Sequence, residues 1–121
     1  PAGQDAALAN LSAPLPICAD ESCHVAADVA RLAGLYQGVN IKLDKAGGLT
    51  EALALCKAAE SAKMDVMVGC MLSTSLAIQA AFLVAQRASW VDLDGPALLQ
   101  KDRPGGFRFV NGCLSPATTS P

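Results

Sequence analysis

The sequence lacks the features that nucleic-acid-binding and membrane-spanning proteins need. Its nine lysines and arginines are scattered among eleven aspartates and glutamates, for a net charge of −2, whereas phosphate binding requires clustered basic residues. The longest apolar run, residues 76–85, is interrupted by Gln79 and is too short to cross a bilayer. We therefore expect neither a nucleic acid nor a membrane as a partner.

Paired cysteines and a second histidine are missing as well. The five cysteines form no Cys-x-x-Cys pair and lie mostly in apolar segments, as small core residues do in a reducing compartment. Nothing at the start has the pattern of a signal peptide, so the cytoplasm is the expected location. His24 is the only histidine, and no second ligand pair follows Cys23-His24 at zinc-finger spacing, which argues against zinc.

Strand-like and helix-like stretches alternate about four times along the chain. Such alternation predicts an α/β fold with parallel strands, either a (β/α) barrel or a doubly wound sheet. The strands are apolar throughout, as expected when helices cover the sheet. Ser22 and Thr50 are the expected N-caps of the first two helices, and an extended piece is expected at 107–110. The predicted strands are 14–19, 39–43, 65–70 and 90–94, and the predicted helices are about 25–35, 50–62 and 75–87.

Two charged residues stand where the first two predicted strands end. Asp20 follows the first strand and Lys42 lies near the end of the second. A buried lysine needs a partner or loses its proton, and the sequence offers three acidic candidates at predicted strand ends: Asp20, Asp92 and Asp94. A carboxylate is also a suitable ligand for a hard divalent cation. The pair therefore suits a metal ligand beside a general base. The alternative is structural: Asp20 caps the helix behind it, and Lys42 snorkels or forms a salt bridge.

The fourth predicted strand ends in Asp92-Leu93-Asp94. On a strand, the two carboxylates point to the same face, where they would suit a cation or an ammonium group. The alternative is a solvated strand end at which Asp94 begins the turn at Gly95-Pro96. Cys70 ends the third predicted strand and Met71 follows it, and the two either line a pocket or belong to the core.

Four segments together carry a resemblance to a known family: 19–22, 40–49, 69–71 and 91–96. They resemble the dipeptide epimerases of the enolase superfamily, within its muconate-lactonizing subgroup. The resemblance implies a modified (β/α) barrel with a capping domain. In that frame, residues 1–99 would be the carboxyl-terminal half of the barrel, truncated at both ends, and 100–121 a segment that returns towards the capping domain.

The resemblance also implies roles for individual residues. Asp20 would be the third magnesium ligand and Lys42 one of two acid/base lysines. Asp92 and Asp94 would hold the α-ammonium of a dipeptide. The loop residues Cys70 and Met71 would line the substrate pocket, and Glu21 would contact a metal ligand rather than the metal. The implied reaction is the epimerisation of dipeptides such as L-Ala-D/L-Glu by magnesium-assisted 1,1-proton transfer, a pattern known for this superfamily.

Several parts of that machinery have no counterpart in this sequence. The other two magnesium ligands, the opposing lysine and most of the capping domain should precede Pro1, so we expect the carboxyl-terminal part of a longer protein, inactive alone. Two other functions remain open. One is a different enzyme of the same subgroup, such as an o-succinylbenzoate synthase or N-acylamino acid racemase, against which the Asp-x-Asp pair speaks. The other is a non-catalytic α/β module. Homo-oligomerisation also remains open.

Overall fold

The four central strands form one parallel sheet in the order of the sequence. The computed structural model describes residues 2–115, and each strand pairs with its sequence neighbours in the order β1-β2-β3-β4. The predicted α/β fold with parallel strands is therefore confirmed. Sequential order is how a (β/α) barrel is built, whereas the order reverses within a doubly wound sheet. The strands are β1 (Cys18–Ala19), β2 (Gly38–Ile41), β3 (Asp65–Val68) and β4 (Trp90–Val91).

Helices connect the strands, and two of them are long enough to cover the sheet. The α-helices are α1 (Val29–Leu32), α2 (Leu43–Ala46), α3 (Leu49–Ser61) and α4 (Ser75–Ala85), with 3-10 helices at Asp5–Asn10, Ala26–Asp28 and Gly95–Leu98. Among residues 2–115, no helix is long and apolar enough to span a membrane.

The two faces of β2 are chemically different. Val39 and Ile41 are at most 1% exposed and belong to the apolar core, which also contains the buried sides of α3 and α4. Side chains alternate along a strand, so Asn40 points to the opposite face, where its amide meets Asp20. The helix-covered face of the sheet is thus apolar, and the other face carries polar groups at the carboxyl ends of the strands.

The first predicted helix is much shorter than expected. In place of a helix over 25–35, the chain forms the 3-10 turn at 26–28 and the single turn α1, because Ala33 is extended (ψ 130°) and Gly34 has a φ of +89°. Ser22 does not cap this helix as predicted, since its hydroxyl donates to Asp5. The Asp28 carboxylate instead accepts the backbone N–H groups that precede the 3-10 turn.

Three strands also end earlier than predicted, and one starts later. Strand β2 ends at Ile41 and the chain turns at once into α2, while β3 ends at Val68 and β4 ends at Val91. Strand β1 begins only at Cys18, because the prolines at 14 and 16 lack the N–H groups that a sheet ladder uses. The N-cap of α3 is Gly48 rather than the predicted Thr50.

A small hairpin follows the barrel strands. Strands β5 (Arg108–Val110) and β6 (Cys113–Ser115) pair antiparallel, which agrees with the extended piece predicted at 107–110. Asn111 and Gly112 form the turn with φ of 51° and 76°, as in a two-residue hairpin loop. The boundary at residue 99/100 remains a prediction, and residues 116–121 of the second segment lie outside the described residues.

Candidate functional site

Asp20 and Lys42 meet at the carboxyl ends of neighbouring strands. The register pairs Ala19 with Val39, so the residues that follow β1 and β2 lie side by side. Lys42 Nζ is 3.0 Å from Asp20 Oδ2. The Lys42 side chain is 15% exposed and that of Asp20 is 38% exposed, so the ion pair is partly buried but open on the side of the carboxylate. Of the three acidic candidates, Asp20 is the one that forms an ion pair with Lys42.

A second lysine, which the sequence analysis missed, binds the same carboxylate. Lys45 Nζ donates to Asp20 Oδ1 and to the backbone carbonyl of Asp20, and its side chain is only 7% exposed. Burial raises the pKa of Asp20, but the hydrogen bonds and charges of Lys45 and Lys42 outweigh burial and leave that pKa below its ordinary value. The sequence signal for this contact was the Lys-x-x-Lys spacing across the strand end, since residues three apart share one side of a helical turn.

Both carboxylate oxygens of Asp20 are thus occupied by side-chain donors. The proposed helix-capping role of Asp20 is wrong, because Asp28 accepts the N–H groups before the first helical turn. The salt-bridge alternative for Lys42 describes its contact correctly. Catalytic groups also form ion pairs, so the acid/base role of Lys42 stays a prediction.

Asn40 is a further residue that the sequence analysis did not single out. It is 6% exposed, and its amide Nδ2 lies 3.3 Å from Asp20 Oδ2. Its Oδ1 is buried without a hydrogen-bond partner among residues 2–115. A Cβ atom at Gly69 would lie 2.8 Å from this oxygen and 3.2 Å from Lys42 Cε. The sequence signal for Asn40 was its position two residues before Lys42 on an apolar strand, because Asn40 and Lys42 then share one face of the strand.

Asp92 and Asp94 are exposed on either side of Leu93, which is 4% exposed. The strand argument holds only in part: β4 ends at Val91, although the Asp92 N–H still bonds to the Val68 carbonyl at 2.9 Å. Asp94 has helical backbone angles, and its carbonyl accepts the N–H of residue 97 at 2.8 Å. Asp94 therefore does begin a turn, as the alternative predicted, while its carboxylate remains exposed.

The two aspartates share one cavity with the hairpin. Its volume is about 430 Å³, and the hairpin residues Phe109 and Leu114 contribute apolar lining. Within the described part of the chain, neither Asp92 nor Asp94 has a side-chain hydrogen bond or an ion pair. Two uncompensated carboxylates facing one cavity suit a cationic group.

The loop after β3 packs next to this aspartate pair. Burial raises the pKa of the Cys70 thiol; a backbone hydrogen bond from Gly95 opposes it, and the charges of Asp92 and Asp94 raise it further. A Cβ atom at Gly95 would lie 2.7 Å from the Met71 carbonyl oxygen, and the Met71 side chain is 40% exposed. Cys70 and Met71 thus lie beside the aspartate pair, although neither is among the residues that line its cavity, and their role as substrate-pocket residues stays a prediction.

Glu21 and His24 are both exposed. His24 contributes a backbone N–H to Asp28. Glu21 follows Asp20 directly in the chain, and its predicted contact with a metal ligand is not tested by the structure. Among residues 2–115, no three histidine, cysteine, aspartate or glutamate side chains form a group that could hold a metal ion. Among the residues that the structure describes, Asp20 is the carboxylate that forms an ion pair with Lys42.

Comparisons with known proteins agree with this arrangement. The family model described as "Enolase C-terminal domain-like" matches residues 1–120. An N-acetyl-D-glutamate racemase from a Pseudoalteromonas species is 52% identical over 116 residues, which are 96% of this chain and 37% of that protein. The L-Ala-D/L-Glu epimerase of Escherichia coli K12 is 53% identical over 114 residues, which are 94% of this chain and 36% of the epimerase.

A solved structure is similar over nearly the whole chain. It is an enolase family member from Agrobacterium tumefaciens with homology to dipeptide epimerases, containing bound sodium and L-Ala-L-Glu with an ordered loop. Its TM-score is 0.92 at 51% identity, over 97% of this chain and 36% of that one. This chain thus spans little more than a third of the length of these relatives.

Proposed function

Since this chain belongs to the enolase C-terminal domain-like family, we propose that it is part of an isomerase that epimerises dipeptides such as L-Ala-D/L-Glu. Its fold is part of the (β/α) barrel that the sequence predicted. The observation that carries the proposal is the placement of Lys42, whose Nζ lies 3.0 Å from the Asp20 carboxylate at neighbouring strand ends. The carboxyl ends of the strands are where barrel enzymes place their chemistry.

Lys42 is the candidate acid/base group of this chain. An amine removes a proton only in its neutral form, so a lysine base must be able to give up its charge, which a neighbouring cation favours and a neighbouring carboxylate opposes. Lys42 Nζ is held at Asp20 Oδ2 and is partly accessible. In the proposed reaction, Lys42 Nζ takes or returns the α-proton on one face of the substrate, and a group from outside this chain serves the other face.

Asp20 fits the role of a magnesium ligand. Magnesium prefers oxygen ligands and commonly uses one or two carboxylates, with waters at its other positions. The Asp20 side chain is 38% exposed and offers a hard, ionised oxygen, since its pKa lies below the ordinary value. When bound, magnesium would stabilise the negative charge that develops on the substrate carboxylate as the α-proton leaves. The remaining ligands would come from outside this chain.

Asp92 and Asp94 are proposed to bind the α-ammonium of the dipeptide. Both residues line the 430 Å³ cavity, and neither carboxylate has an ion pair among the described residues. An ammonium group would satisfy them with charge-assisted hydrogen bonds, which are stronger than neutral ones. Cys70 and Met71 are proposed to line the pocket beside them, and Glu21 to contact the ligand shell of the ion. The cytoplasmic location is also a proposal, supported by the five free thiols.

A second candidate function is the racemisation of an N-acylated amino acid. It is favoured by the 52% identity to the N-acetyl-D-glutamate racemase, and its proton transfer would use the same Lys42 and Asp20. The two candidates differ at the aspartate pair. An N-acetylated substrate has no α-ammonium, so Asp92 and Asp94 would remain without a counter-charge when it binds.

The deciding experiment compares the two substrates in the full-length protein. Proton exchange at the α-carbon is followed by NMR in deuterium oxide with magnesium, for the wild type and for Asp92→Asn/Asp94→Asn. Hydrogen bonds to a charged group contribute about 1.5–3 kcal/mol, so we expect KM for L-Ala-D-Glu to rise about 10- to 150-fold and KM for N-acetyl-D-glutamate to change little. Equal loss with both substrates would contradict the ammonium-binding role.

The role of Lys42 is tested in the same assay. Lys42→Ala should abolish epimerisation, and with it the exchange on the face that Lys42 serves, whereas Lys57→Ala, at an exposed position on α3, should leave both unchanged. Full activity of Lys42→Ala would reduce Lys42 to a structural lysine. A wild-type protein that exchanges the α-proton of neither substrate would favour the non-catalytic module.

A further inference from the structure

Lys45 is the most buried charged group at Asp20, yet the proposed reaction gives it no task. Its side chain is 7% exposed, compared with 15% for Lys42. We propose that Lys45 is a positioning residue that holds the Asp20 carboxylate in one orientation, with Oδ1 turned to Lys45 and Oδ2 turned to the site. This inference rests on the proposed function, in which Asp20 is a magnesium ligand.

The donors around Asp20 divide its oxygens between them. Lys45 Nζ donates to Oδ1 and also to the backbone carbonyl of Asp20. Lys42 and Asn40 both donate to Oδ2, at 3.0 and 3.3 Å. An ammonium group has three donors, and Lys45 uses two of them on this one residue. Because it binds side chain and backbone at once, Lys45 fixes the torsion between them, and rotation of the carboxylate would break the contact with Oδ1.

The short helix α2 explains why two lysines reach one carboxylate. The Lys45 N–H bonds to the Lys42 carbonyl at 3.0 Å, and Gly47 ends the turn with a φ of 80°. Residues three apart on a helical turn share one side, so both ammonium groups converge on the end of β1. Lys42 shares Oδ2 with Asn40 and can exchange that contact for substrate, whereas Lys45 has Oδ1 to itself.

Positioning and simple charge compensation predict effects of opposite sign. If Lys45 served only as a counter-charge, its removal would take a positive charge away from the magnesium site and tighten magnesium binding. If Lys45 orients Asp20, its removal lets the carboxylate rotate and weakens magnesium binding. Loss of a partner that orients a metal ligand typically weakens metal binding by about 10- to 100-fold.

The test measures magnesium affinity in the full-length, metal-stripped protein by titration calorimetry with magnesium chloride. Lys45→Met keeps the length of the side chain and removes its donors and charge, so we expect Kd to rise about tenfold or more. Lys45→Arg, which restores charge and donors, should recover part of the affinity. Lys57→Met, at the exposed site on α3, is the matched control and should bind magnesium like the wild type.

The outcomes separate this inference from the proposed function. A folded Lys45→Met protein with unchanged or tighter magnesium binding overturns the positioning role. Thermal unfolding in chelator shows whether the variant folds; if it does not, Lys45→Gln replaces it and unchanged affinity is again the refuting result. If the wild type binds magnesium but does not exchange the α-proton, the proposed function is rejected, and the role of Lys45 is then tested by magnesium affinity alone. A wild type that binds no magnesium overturns both.

Discussion

Replacing Gly69 by alanine should disturb the site through one misplaced methyl group. A Cβ atom at position 69 would lie 2.8 Å from Asn40 Oδ1 and 3.1 Å from its Nδ2. Non-bonded heavy atoms pack best at about 3.5–4.0 Å, so the amide would have to retreat by on the order of 0.5–1 Å. Strand β2 lies between β1 and β3, and the retreat therefore pushes Asn40 towards Asp20.

The magnitude follows from how little room Asn40 has. It is 6% exposed, and Lys42 Cε would also be only 3.2 Å from the new methyl group. Overpacking of a tight interior costs about 1–3 kcal/mol of stability, and a displacement of about 1 Å in catalytic geometry can cost about 100-fold in rate. We expect Gly69→Ala to lose about 1–3 kcal/mol of unfolding free energy and up to about 100-fold in kcat/KM.

The assay uses α-proton exchange for kcat/KM and urea unfolding for stability, both in the full-length protein. Asn40→Ala removes the amide that the methyl group would strike, so the double variant Gly69→Ala/Asn40→Ala should be little worse than Asn40→Ala alone. Wild-type kinetics and stability in Gly69→Ala would refute the steric argument. Equal and additive losses in the double variant would show that the clash lies elsewhere.

Two further predictions concern contacts away from the site. Hydrogen bonds from Ser22 and Tyr36 lower the pKa of Asp5 against the effect of burial. The ionised Asp5 should therefore stabilise the fold above its ordinary pKa of 3.8, and this stabilisation should be lost as the pH falls through the lower folded-state pKa. In urea unfolding, the difference in stability between wild type and Asp5→Asn should shrink towards acidic pH, and a difference that does not depend on pH would contradict this prediction. Ser75→Ala deprives the Phe107 N–H of its acceptor at 2.7 Å and should lower the free energy of unfolding in urea by about 1–3 kcal/mol. The control Ser73→Ala removes a buried hydroxyl without a partner in the described residues and should leave the free energy of unfolding unchanged. Equal losses in the two variants would refute this prediction.

The central pairing of the site could be predicted because it depends on few structural facts. Alternating strands and helices dictate parallel neighbours, and the ends of consecutive parallel strands lie side by side. Asp20 and Lys42 stand at two such ends, and their contact at 3.0 Å agrees with that order, although the sequence left Asp92 and Asp94 open as partners. Errors of a few residues in the strand bounds did not affect it.

Contacts that depend on local turn geometry could not be predicted. Lys45 reaches Asp20 only because β2 stops at Ile41 and α2 begins at Leu43, whereas a strand through Leu43 would have sent Lys45 elsewhere. In the sequence, Asn40 is only a single polar residue in an apolar strand. Its burial against Gly69 requires knowing how close β2 and β3 lie at that point.

By itself, the sequence determined the order of the strands, their parallel direction and the charged residues at their ends, because periodicity and composition are local properties of the chain. Only the tertiary structure decided which oxygen of Asp20 each donor binds and that Ser75 would tie down Phe107. It also decided that the hairpin would line one cavity together with Asp92 and Asp94. The Asp20 contacts join residues 20 to 25 positions apart and the Ser75–Phe107 contact joins residues 32 apart, so they are set by packing between elements that no single stretch of sequence encodes.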